Sequence, residues 1–319
     1  TGVCIRCGKT LPRDFIKSEA RQGRVGNQLG AIGYQIKGKR GRFFRIANEM
    51  DNVGYQNAEK ALIEKWHQWE SEGLIPIEDI PYGNKTREPI NFGMLRWCDL
   101  FNPRQLLVHL TTLDLLRKYD YNKFDKELRD SIKILLALSL DKALDYNAML
   151  NVYDSSRAVV KHVFTSHNLA VSWKYCEIDG SGKLFQWAID QIVDAYKGCR
   201  KLIGTNHGEI DIRCGDSRNI HWIPNESVHA VITDPPYYEN IMYSELSDFF
   251  YVWQKRMIGD VHPDWFSLPL TDKDNEAVAN PVRFDHLDNK EFSPKSMALE
   301  DYEMKMTQSW REAYRVLVD

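Results

Sequence analysis

The chain has 319 residues, 27% of them charged and 43% hydrophobic, with a net charge of −3. This composition excludes a disordered chain, a collagen-like chain and a repeat array, and leaves room for one or two cores. No apolar run approaches the roughly eighteen residues that a membrane span needs and no signal peptide precedes the first charges, so the expected location is the cytoplasm, with no membrane partner.

The first 45 residues are basic, with Asp14 and Glu19 the only acids among them, so the remainder of the chain is acidic. "RQGRVGNQLG" and "IKGKRGRFFRI" mix glycines and arginines with apolar residues, which predicts short strands and turns over a phosphate-contacting face. The alternative is an ordinary solvated basic surface. Six cysteines, with only Cys4 and Cys7 closely spaced, fit a reducing compartment and mostly core thiols. The start at Thr1 and the stop inside the apolar "YRVLVD" read as the ends of a fragment.

A short helix is expected around "NAEKALIEKWHQWESEG", followed by "LIPIEDIPYGNKTREPINFG" as an extended linker. Asn102 as N-cap and Pro103 at the first helical position then open a helix that carries Leu106, Leu107, Leu110 and Leu113 on one side. A second long helix is predicted from about Phe124 to Leu150. From Leu184 the pattern alternates: a helix over "LFQWAIDQIVDAYKGCRKL", a strand over "EIDIRCGD", a strand over "VHAVITD", then helices over "SELSDFFYVWQKRM" and "LEDYEMKMTQSWREAYRVL". This order predicts part of a doubly wound α/β sheet, in which ligands bind beyond the carboxyl ends of the strands. Leu246, Phe249, Phe250 and Trp253 fall on a core stripe, with Asp248, Lys255 and Arg256 expected to face solvent.

The second strand runs into "DPPY". Asp234 sits at its end, Pro235 and Pro236 stiffen the backbone and leave carbonyls without N–H donors, and Tyr237 adds a flat face. The set offers acceptors for an aromatic –NH2 group and a stacking surface, with no nucleophile of its own. Such an amine is unreactive because its lone pair is delocalised into the ring. Acceptance of its hydrogens by Asp234 and the Pro235 carbonyl would free that pair for attack on an activated methyl group. In a duplex the base must first leave the stack, with Tyr237 to receive it and Tyr238 or Tyr243 as a second face.

"DPPY" resembles the catalytic tetrapeptide of S-adenosylmethionine-dependent amino-methyltransferases. With "LFNPRQLL", "LDKALDYNAML" and "CIRCGKTLP", the chain resembles over most of its length the adenine-specific DNA methylases that carry a zinc ribbon. The resemblance implies a Rossmann-like methyltransferase sheet with a ribbon-like N-terminal module and a helical insertion. In it Asp234, Pro235, Pro236 and Tyr237 hold the target base, and Asp216 in "CGDSRNI" lies near the cofactor's adenine amine, the alternative being an exposed loop acid. DNA is the implied partner, with restriction or defence proteins beside it. Cys4 and Cys7 form one C-x-x-C, half of the set a structural zinc needs. The glycine-rich first loop of such enzymes has no counterpart here, and Asn102, Pro103 and Arg104 are either cofactor contacts or a plain helix start. N4-methylcytosine, an RNA or guanine-N2 substrate, and a catalytically silent nucleic-acid-binding remnant are the alternatives.

Overall fold

In the computed structural model, which describes residues 2–4, 6–205, 208–287 and 292–318, the basic N-terminal segment forms two hairpins flanking a helix. The ends expected to be cut, Thr1 and Asp319, lie outside the described residues. β1 (Gly2–Val3) pairs antiparallel with β2 (Thr10–Leu11) across the Cys4–Cys7 turn, and α1 (Arg13–Arg21) follows. β3 (Ala31–Tyr34) pairs with β4 (Phe43–Ile46), and the connecting tip exposes Lys37, Lys39, Arg40 and Arg42. Gly38 and Gly41 stand at φ +83° and +97° in that tip, which spares it the steric cost a side chain would bring.

α2 (Glu49–Ser71) begins earlier than expected because Asn48 and Asp51 form a capping box. The Asn48 side chain accepts from the Asp51 N–H at 3.2 Å, and the Asp51 carboxylate accepts from the Asn48 N–H at 2.8 Å. The segment expected to be an extended linker is instead a packed strap. Leu74, Ile75 and Ile80 are buried in the main core, and a short helix, α3 (Arg87–Asn91), follows them.

α4 (Pro103–Lys118) starts as the sequence predicts, with Asn102 and Gln105 reciprocally bonded at 2.9 and 3.0 Å. α5 (Lys126–Tyr146) is capped by Asp125, and a third hairpin, β5 (Tyr153–Asp154) with β6 (Val159–Val160), comes after it. Phe44 of β4 meets Tyr153 edge-on at 5.5 Å, which ties the basic hairpin to the body. α6 (Leu184–Ile203), α7 (Tyr243–Ile258) and α8 (Pro294–Val316) complete the helices.

The main core draws on α2, α4, α5, α7 and the strap. Trp69, Trp97, Leu110, Phe249 and Trp253 are fully buried in it, and Phe101 packs between Phe249 at 5.8 Å and Trp253 at 5.5 Å. Full burial of a large apolar side chain stabilises by about 1.5–3 kcal/mol, so α7 is held by its aromatic stripe, as expected. Two charges on α7 depart from expectation: Asp248 and Arg256 do not face solvent. Asp248 is fully buried, with Lys273 Nζ at 2.5 Å, and the Arg256 side chain is enclosed against Glu78 at 2.8 Å.

The chain is therefore a mixed fold of helices and small two-stranded antiparallel sheets. Among the described residues no doubly wound sheet and no zinc ribbon is formed. Residues 209–216 and 229–234 are extended or irregular and form no ladder among the described residues, and Ile212 and Ile232 are 90% and 94% exposed. One parallel contact is present, the Val228–Leu317 bridge, where the Val318 N–H donates to the Val228 carbonyl at 3.0 Å. The physical reason is pairing. A strand with two apolar faces needs a neighbour for its backbone N–H and C=O groups and cover on both faces, and among the described residues the backbone at the end of α8 bonds only to that of residues 226–228, before the apolar segment begins. Among the described residues no helix is long and apolar enough to cross a membrane.

Candidate active site

The Asp234–Tyr238 loop lies between the extended segment 229–234 and the start of α7. Asp234 is exposed, and the Tyr237 hydroxyl donates to its Oδ1 at 2.8 Å; the carboxylate in turn raises the phenol's pKa. The Tyr237 ring is 51% exposed, as a stacking face must be, and Tyr243 in the first turn of α7 is also exposed. Among the described residues nothing hydrogen-bonds to Asp234 Oδ2 or to the Pro235 carbonyl, the two acceptors that the chemistry calls for. The next carbonyl is occupied: Tyr302 of α8 donates its hydroxyl to the Pro236 carbonyl at 3.2 Å.

Tyr238 has φ +57°, a left-handed conformation that costs a non-glycine residue on the order of 1–3 kcal/mol and persists only where the surroundings hold it. Two contacts do so. The Ala279 N–H donates to the Tyr238 carbonyl at 3.1 Å, and the Tyr302 ring meets the Tyr238 ring edge-on at 5.2 Å and 84°.

Beneath the loop is a polar base that sequence reasoning missed. Glu245, buried in the first turn of α7, accepts from the Asn84 and Lys85 N–H groups at 3.2 and 2.7 Å and from Asn280 Nδ2 at 2.7 Å. Ser244 donates its N–H and hydroxyl to Glu276 at 2.8 and 2.5 Å, and burial raises the Glu276 carboxyl pKa. Lys305, buried on α8, donates to the Glu276 carbonyl at 3.1 Å and to Asp301 at 2.8 Å, and also bonds the Asp274 carbonyl. Asp248 accepts from the Thr271 N–H at 2.8 Å and its hydroxyl at 2.6 Å. A signal was present: Glu245, Asp248, Val252 and Arg256 recur at helical spacing, so a buried stripe of α7 is partly charged.

Asp216 is exposed, and both its carboxylate oxygens accept from Arg218 Nε, at 3.0 and 2.9 Å, which lowers its pKa. Arg218 also donates to Asn275 Oδ1 at 2.7 Å, so Asp216 and the Asp234–Tyr238 loop are attached to one segment, at Asn275 and Ala279. That much brings the two predicted parts together. As a recognition group for the adenine of S-adenosylmethionine, however, Asp216 is already committed to a guanidinium. Asn102 caps α4 and bonds Tyr175 at 3.1 Å, and Arg104 makes a two-bond pair with Glu177 at 3.0 Å, which is the helix-start reading of that motif.

At the N-terminus the Cys4–Cys7 turn is knuckle-like. The Gly8 N–H donates to the Cys4 carbonyl at 2.8 Å, and the backbone N–H groups of Cys7 and Arg6 lower the Cys4 thiol pKa. Among the described residues no group of three His, Cys, Asp or Glu side chains gathers there or elsewhere, and the pair is half of a tetrahedral set. Burial pushes Cys98 up to about 12 and half-buried Cys176 up to about 11, whereas Cys7, Cys199 and Cys214 are exposed, so the cysteines are not mostly core thiols as expected. The chain matches no protein-family model, no curated protein and no solved structure.

Proposed function

We propose that this chain is an S-adenosylmethionine-dependent amino-methyltransferase acting on adenine N6 in DNA. One observation carries the reading: in "DPPY" the Asp234 Oδ2 and the Pro235 carbonyl are open acceptors beside a half-exposed tyrosine ring, on a strained loop held from two sides. A base turned out of the stack would lie on Tyr237, with Tyr243 as a second face, at a gain of roughly 1–3 kcal/mol per stacked base. Its amine hydrogens would go to the two acceptors, which favours a pyramidal nitrogen with its lone pair directed away from the ring. S-adenosylmethionine would supply the electrophilic methyl group. The basic hairpin tip would meet DNA phosphates.

The doubly wound sheet of such enzymes belongs to this proposal, and the Val228–Leu317 parallel bridge is what supports it. A zinc ribbon, and restriction or defence partners, rest on the resemblance alone. A second reading, a silent nucleic-acid-binding remnant, is favoured by the commitment of Asp216 to Arg218.

The test is transfer of a labelled methyl group from S-adenosylmethionine to unmethylated DNA, run beside Asp234→Ala, with product nucleosides identified by mass spectrometry. Label on adenine that disappears in the variant supports the enzyme. Label on cytosine moves the substrate, and DNA binding without label selects the remnant.

A further inference from the structure

We infer that Tyr302 is the positioning residue of the Asp234–Tyr238 loop and determines which proline carbonyl is left to receive a target amine; this rests on the methyltransferase reading. The loop presents two adjacent proline carbonyls, and an amine has only two hydrogens to place. The Tyr302 hydroxyl bonds the Pro236 carbonyl at 3.2 Å and engages one of its two lone pairs, which makes it the poorer acceptor and leaves the Pro235 carbonyl and Asp234 Oδ2 as the open pair among the described residues. The same side chain holds Tyr238 through its ring at 5.2 Å, and Tyr238 is the residue whose positive φ turns the chain out of the motif. One tyrosine therefore constrains both the acceptor and the bend that aims it.

Tyr302 can do this because α8 is itself anchored. Lys305, one turn further along, is buried and bonded to Asp301 and to the carbonyls of Asp274 and Glu276, the segment that continues to Ala279 and its bond with the Tyr238 carbonyl. The ring of Tyr302 thus closes a circuit from α8 through residues 274–279 to Tyr238 and back. It touches no reacting atom, so its effect falls on the orientation of Asp234 and Pro235 rather than on base capture, which belongs to Tyr237.

Tyr302→Phe retains the ring and removes the hydroxyl; Tyr302→Leu removes both. In methyl transfer to DNA, Tyr302→Phe is expected to lower kcat by about 10- to 100-fold, the scale of a small misplacement, with KM for DNA and the unfolding midpoint unchanged. Wild-type kcat in Tyr302→Phe overturns the inference. Hydrogen–deuterium exchange reads the clamp without reference to activity. Tyr302→Leu should speed exchange of the Ala279 amide about fivefold or more, as loss of a net hydrogen bond's support would. A wild-type chain that transfers no methyl group, with Ala279 exchange still raised in the variant, refutes the methyltransferase reading and leaves the loop-holding role standing. Unchanged exchange overturns that role whatever the activity.

Discussion

Gly83 lies flat against the carboxylate of Glu245, so close that a Cβ built on it would stand 2.5 Å from Glu245 Cδ. The carboxylate cannot retreat, because the Asn84 and Lys85 N–H groups and Asn280 Nδ2 hold it from three directions. This packing joins the strap to α7 and to the segment that supports Tyr238. Gly83→Ala should therefore destabilise the fold by about 1–3 kcal/mol, the usual cost of overpacking. Glu245→Ala leaves three donors unpaired, that of buried Asn280 and those of half-buried Asn84 and Lys85, and should cost more, about 3 kcal/mol. Urea unfolding midpoints of the two variants check both, and a Gly83→Ala midpoint equal to wild type would show that the carboxylate yields.

Asp234 and Tyr237 should separate chemistry from capture. Asp234→Ala is expected to abolish methyl transfer while DNA affinity stays close to wild type. Tyr237→Ala should weaken base capture by roughly 1–3 kcal/mol, whereas Tyr237→Phe keeps the ring and loses only its bond to Asp234 Oδ1. Single-turnover rates beside binding titrations distinguish these outcomes. Full activity in Asp234→Ala would remove the loop from the reaction.

The β3–β4 tip is exposed at Lys37, Lys39, Arg40 and Arg42, whereas Arg24 and Arg45 in the same module are tied to Glu19 and Asp51. Replacing the four tip cations by glutamine should weaken DNA binding for all sequences alike. The slope of log affinity against log salt should become shallower by up to about 0.9 for each duplex phosphate that the variant no longer neutralises. An unchanged slope would take the hairpin out of the interface.

A buried acid gives the stability a pH signature. Asp141 on α5 bonds Gln254 of α7, its Oδ1 is buried without a partner, and burial raises its carboxyl to about 8. A folded-state pKa above the unfolded one means that the native chain binds more protons, so this contribution is present at low pH and is lost as pH rises toward about 8. Burial lowers His109 to about 4, which acts in the opposite sense below the ordinary histidine range, so from about pH 6.5 upward it no longer offsets Asp141. Between pH 6.5 and 8 the wild type should lose stability by at most about 1.4 kcal/mol per unit, and Asp141→Asn should flatten that slope. Parallel slopes in thermal unfolding would show that Asp141 does not titrate there.

The long helices from α4 onward were legible from residues alone, whereas α1 lies in the ribbon-like module and α3 in the linker, where no helix was expected. The Asn102–Pro103 start, the leucine spacing of α4 and α5 and the aromatic stripe of α7 all hold in the structure, because caps and 3.6-residue periodicity are encoded within a turn or two of the chain. The composition of "DPPY" likewise announced acceptors and a flat face. Which carbonyl stays open was decided by Tyr302, 66 residues away, and the burial of Glu245 by donors from Asn84 and Lys85, some 160 residues away. Asp248 and Arg256 looked solvent-facing because a charge is buried only where partners arrive from elsewhere, here Lys273 and Glu78. The apolar segment 229–234 read as a buried strand, but a strand exists only with a neighbour to pair with, and among the described residues the chain at the end of α8 bonds to residues 226–228, just before that segment, with one parallel bridge at Val228 and Leu317. Local conformation is a property of neighbouring residues; burying a charge and pairing a strand depend on groups that only the tertiary fold brings within hydrogen-bonding distance.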